Sequence, residues 1–240
     1  MSNWAVFAVL AVAVTMGGVV QGAVGLGLGL VAAPVATLVD PALMPGLLLW
    51  LAAAYPVLTL AREGRASDWR GLRWAFAGRL PGTVLGVAVV SAVSSRLLSL
   101  LVGLIVLAAV VLTWQVVSLP MRRDVLIGAG IISGLMGTAT SIGGPPLALV
   151  YQHVTGARLR ATMATYFFFG ALLSLLGLAV GGELDAADGV WALGLAPFLV
   201  LGFLLAETVR RHVDAGRTRA AVLVVCAASA TALIVRSAFG

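Results

Sequence analysis

Two stretches of the chain gather residue types able to hold a ligand without using formal charge. The first runs from Gln21 through Gly22, Gly25 and Gly27 to Gly29; the second holds Gly137, Thr138, Thr140 and Ser141, then Gly143, Gly144, Pro145 and Pro146. Gly admits backbone angles closed to other residues and Pro removes an amide donor, so both runs interrupt a helix. A helix that restarts after such a break begins with unpartnered amide N–H groups and the positive end of its dipole. Two such ends facing each other make an anion site. Neither run carries Arg, Asp or Glu, so backbone dipoles and the Thr138, Thr140 and Ser141 hydroxyls would provide the selectivity. Each helix end contributes about 0.3–2 kcal/mol. A few of these with the hydroxyls sum to roughly 4–8 kcal/mol, which is millimolar to micromolar binding.

Simpler roles compete with this one. Glycines in membrane helices serve close packing, and Thr or Ser hydroxyls bond carbonyls one turn back. Two such runs at matching positions favour a ligand. Gln21 opens the first run and is a candidate contact, although its counterpart Met136 is apolar. Gln152, His153 and Arg79 are candidates for coupling or gating. His153 is expected to be an interfacial residue, and Arg79 is expected to snorkel to the cytoplasmic surface rather than draw anions inward. Tyr55, Thr165 and Tyr166 are candidates only by proximity, and Glu207 is expected to pair with Arg210 and Arg211. No H-E-x-x-H motif, P-loop or two-His metal spacing occurs. Ala139 to Gly143 distantly resembles G-x-S-x-G without its first Gly, leaving an intramembrane serine hydrolase as a remote alternative. No catalytic residue, metal ligand or cofactor is expected.

The elements that must hold these runs lie in lipid. Of 240 residues 61% are hydrophobic and 10% charged, against about 25% charged in a soluble domain; this is an all-α polytopic membrane protein. The net charge of +6 comes entirely from Arg, clustered between apolar runs. Those are loop charges, not a nucleic-acid face. The lone Cys226 reads as packing. Met1 to Ala5 carry no side-chain charge, so the first apolar run is expected to stay in the mature chain rather than be cleaved as a signal peptide.

The apolar runs are 4–39, 42–61, 74–93, 97–117, 125–155, 160–180, 190–207 and 220–238. As one helix the first would be ~54 Å long against ~30 Å of hydrocarbon. Both 4–39 and 125–155 are therefore expected to be hairpins, broken near mid-membrane. With the N- and C-termini outside, this places Arg62, Arg65, Arg70, Arg73, Arg122, Arg123, Arg158, Arg160, Arg210, Arg211, Arg217 and Arg219 inside, twelve of the 15 basic residues, as the positive-inside rule requires.

An offset of about 115 residues sets Gly22 on Gly137, Gly29 on Gly144 and Asp40-Pro41 on Thr155-Gly156. The chain then divides into halves at 1–120 and 121–240, each a broken hairpin followed by three helices. One half starts outside and the other inside, which makes an inverted repeat with the site at the breaks. One half rocking against the other would move the ligand; an anion channel could use the same breaks.

Gln21 to Pro34, Gly134 to Pro146 and Leu80-Pro81-Gly82-Thr83-Val84-Leu85-Gly86 resemble the TauE/SafE sulfite-exporter family, across nearly the whole chain. The resemblance implies transport of sulfite, sulfonates or related sulfur-containing anions across the bacterial inner membrane, coupled to an ion gradient. The implied partners are a small anion, the lipid bilayer and a coupling proton or sodium ion; nothing in the sequence fixes the oligomeric state.

Overall fold

A computed structural model describes residues 3–114, 119–212 and 215–239. The side chains of Arg65, Arg210, Arg211, Arg217 and Arg219 lie outside the described residues, as does the end of the 97–117 run. The described chain is helical throughout, with ten α-helices: α1 Asn3–Val24, α2 Leu28–Val39, α3 Gly46–Glu63, α4 Trp69–Ala92, α5 Ser95–Trp114, α6 Arg123–Thr140, α7 Gly144–Tyr151, α8 Gly156–Gly181, α9 Ala186–His212 and α10 Ala215–Phe239. Long Ala-, Leu- and Val-rich runs satisfy their backbone within the helix, the requirement that lipid imposes. The stops are local. Asp40 accepts from the Ala42 N–H ahead of Pro41, and Gly182 closes α8 in the left-handed region at φ 74°.

Among the described residues, α1, α4, α8 and Ala186–Val209 of α9 are long and apolar enough to cross a bilayer. Several helices outrun their apolar stretch. α4 begins at Trp69 rather than 74, α8 at Gly156 rather than 160, and α9 ends at His212 rather than 207. Arginine ends an apolar run but is itself a good helix former.

Both overlong segments split and fold back, but with unequal arms. α1 has 22 residues, ~33 Å, and is a full membrane thickness by itself. α2 has 12 residues, α6 has 18 and α7 only 8. The breaks are correspondingly shorter than the glycine runs, occupying Gly25–Gly27 and Ser141–Gly143. Gln21, Gly22, Gly137, Thr138 and Thr140 remain helical. The first break falls beyond the midpoint of 4–39, whereas the second falls within two residues of the midpoint of 125–155. A single Gly inside a helix costs only ~1 kcal/mol, which packing recovers, whereas positive φ at Gly25, Gly27 and Ser141 ends the helix outright.

The helices pair across the chain. α1 lies against α9, α6 against α4, α3 against α8, and α5 against α10. The α4–α6 seam is glycine-lined: Gly78 and Gly82 face the Ile127 and Ile131 backbone, and Gly130 faces Ala75. One apolar cluster joins α1, α2, α3, α9 and α10 with α5; a second joins α4, α6, α7 and α8. Charges sort to the two ends. Glu63, Asp68, Arg158 and Arg160 meet at one end, with Arg123 stacked on Trp74 nearby. At the other end Arg96 donates to Ser237 O, and Asp188 lies against Gly46.

Candidate functional site

The two breaks touch. Gly29 lies so close to the Ser141 carbonyl that a side chain there would run into it, and Leu26 packs beside Gly144. Between them is a small cavity of about 40 Å3. A water needs ~10–15 Å3 by the same measure, so the space suits a few waters or one compact ion. Gln21, Gly27, Gly29, Gly137, Ser141, Gly143, Gly144 and Pro145 line it, with Leu49, Ala52, Phe167 and Ala171 as apolar walls.

The two restarting helices do not contribute equally. At α2 the Gln21 Oε1 accepts from the Leu28 N–H at 3.0 Å, capping one amide; Gly29 and Leu30, next in the first turn where helix amides have no intrahelical partner, also line the cavity. At α7 the second and third positions are Pro145 and Pro146, which have no N–H to give. Two equivalent anion-binding helix ends are thus replaced by one donor-rich end and one donor-poor end.

A full charge occupies the cavity wall instead. Arg79 is the eleventh residue of α4, only 3% exposed, and lines the cavity. The expected snorkelling does not occur, because the guanidinium has a built seat. Nη1 donates to Ser133 Oγ at 3.3 Å, Nη2 to Ser174 Oγ at 3.5 Å, and Cζ stacks 4.8 Å from the Tyr166 ring. Gly170 makes the slot: a Cβ there would collide with the guanidinium carbon. Among the described residues, Arg79 Nε has no hydrogen-bond partner and no carboxylate pairs with this arginine. Ser133 also donates to Gly143 O, tying the cation to the second break.

The other candidates fall around this centre or away from it. Thr138 is buried behind Arg79, its Oγ1 2.8 Å from Ser174 Oγ. Thr140 donates to Met136 O one turn back, so it bonds its own helix rather than the cavity. Ser141 lines the cavity but its hydroxyl donates to Pro45 O at 2.9 Å. Gly22 packs under Tyr55 and Ala206, and Gly25 against Arg160; neither lines the cavity. His153 is exposed, and with Gln152 it lies in the turn after α7 at the Arg158–Asp68 end, outside the cavity lining. Thr165 bonds Ser67 there, and Tyr55 donates to Gly18 O. Ser133, Ser174 and Gly170 are unremarked in the sequence; the one signal for them is a single Arg inside an apolar helix, which needs polar company.

The sequence profile described as Sulfite exporter TauE/SafE matches residues 9–233. The chain belongs to the TauE/SafE family. TauE/SafE proteins are membrane transporters, not enzymes, which sets the hydrolase alternative aside. No match was found among curated proteins or solved structures.

Proposed function

We propose that the chain is a secondary transporter of a compact sulfur oxyanion, sulfite or a small sulfonate, in the bacterial inner membrane. Arg79 and the Gly29 and Leu30 amides hold the anion. The observation that carries this reading is a buried guanidinium without a carboxylate partner at the point where both breaks meet. Burying an unpaired charge is costly, at least ~2.5–3.5 kcal/mol for Arg at mid-bilayer, and a bound anion offsets that cost. The cavity size supports a small ion. Because Arg79 is the one charged residue among the described lining, a zwitterion such as taurine would set its ammonium against positive potential, so an anion without one is favoured.

The proposed movement is a rocking of two inverted halves, 1–120 and 121–240, coupled to a proton or sodium gradient, with both termini outside. The pairing pattern supports it: exchanging α1–α5 with α6–α10 carries α1–α9 onto α6–α4 and leaves α3–α8 and α5–α10 as self-pairs. A thermal-shift series on purified protein with sulfite, sulfoacetate, sulfate, taurine and acetate tests the substrate. A ligand at a hundred times its Kd stabilises by about 2.7 kcal/mol. The expected order puts sulfite first and taurine below it. Equal, negligible shifts for all five would overturn the assignment.

A further inference from the structure

Consecutive residues of α1 face different cavities. Gln21 lines the Arg79 cavity, while Gly22 lines a second one of about 30 Å3 bounded by Arg62, Glu63, Arg160, Phe203 and Glu207. The first break adjoins both: Gly27 lines the Arg79 cavity, and Arg160 bounds the second. Gly25, at φ 95°, lies against the stem and backbone of Arg160. Arg160 in turn grips Glu63 with two nitrogens, Nε at 2.9 Å and Nη2 at 2.6 Å. These side chains are 17% and 21% exposed, so the pair is largely withdrawn from water and joins the end of α3 to the start of α8.

We propose that the Glu63–Arg160 pair is the gate of the transport route at the arginine-rich end, shut in this structure. The inference rests on the reading of the Arg79 cavity as the anion site. An anion leaving that cavity toward the arginine-rich loops passes the Gly25–Gly27 break and meets Arg160 next. Opening requires Arg160 to let go of Glu63, and the passing anion replaces the carboxylate as its partner. The two arginines and two glutamates of the second cavity sum to zero formal charge, so the ion is handed on rather than retained. Bidentate Arg–carboxylate geometry makes the closed state specific, and its partial burial makes it resist salt.

The test reads access, not transport, so it stands apart from the substrate assignment. Leu26→Cys in a Cys226→Ser background places one thiol on the Arg79 cavity. Its modification by a charged methanethiosulfonate added to the arginine-rich side is timed in proteoliposomes, with His153→Cys as the exposed control. The pair intact, Leu26→Cys should react at least tenfold slower than the control. Glu63→Gln or Arg160→Gln should each raise its rate about tenfold, and the swap Glu63→Arg with Arg160→Glu should return it toward the slow value. A parent that reacts as fast as the control, or charge-removed variants within twofold of the parent, would overturn the gate. A swap that remains fast while eluting as folded protein would overturn the ion pair as its basis. Should sulfite fail to shift the protein while Glu63→Gln still exposes Leu26→Cys, the substrate assignment falls and the gate stands.

Discussion

The two hairpin tips are alike in composition and differ in how they are held. The second is braced by a chain of side-chain hydrogen bonds: its own Ser141 donates to the Pro45 carbonyl, Ser133 on α6 donates to the Gly143 carbonyl, and Arg79 on α4 donates to Ser133. It has a left-handed Ser141 at its turn and prolines where amide donors would be. Among the described residues the first has one side-chain hydrogen bond across its break, from the Leu28 N–H to Gln21, turns on two glycines, and has Gly29 and Leu30 in the first turn of its second helix. A braced tip fixes the cation. A lightly held tip supplies neutral donors and lies beside the proposed gate. On the proposed reading, charge lies on one side of the cavity and movement on the other.

Removing the charge should have the largest effect. Arg79→Gln is expected to weaken sulfite binding about 100-fold, since a charge-assisted hydrogen bond is worth ~1.5–3 kcal/mol. Arg79→Lys keeps the charge without the fork and should recover part of it, as titration calorimetry would read. Next comes the seat. Gly170→Ala pushes the guanidinium off its slot, and about a tenfold loss of affinity with retained expression and retention volume is expected; unchanged affinity would mean that the seat does not position Arg79. On the lightly held tip, Gln21→Ala should destabilise by about 1 kcal/mol, the usual worth of a helix cap, and reduce affinity only several-fold. A loss from Gln21→Ala as large as that from Arg79→Gln would reverse the division between the tips. Smallest of all, His153→Ala should leave sulfite flux and its pH profile within twofold, because His153 is exposed outside the cavity lining.

The pattern of helices was legible in the sequence because lipid allows little else: apolar runs, their lengths and the two glycine interruptions are one-dimensional facts. Arm lengths were not, because a glycine run marks where a helix can break and only packing decides where it does. Gly17, Gly18 and Gly22 stay helical against Leu28, Gly202 and Tyr55, all distant in sequence or across the break. The role of Arg79 was hidden for the same reason. Its seat is assembled from Ser133 on α6 and Tyr166, Gly170 and Ser174 on α8, at least 54 positions away. Counted from the start of its apolar run it looks close to the surface; counted from Trp69 it lies mid-helix, where an arginine needs partners.

The most direct test is sulfite titration, by calorimetry, of the parent protein and of Arg79→Gln, both folded and at one ionic strength. Saturable binding to the parent in the millimolar-to-micromolar range, lost in the variant, is the predicted result. Equal affinity in the two proteins would contradict a site centred on this buried guanidinium.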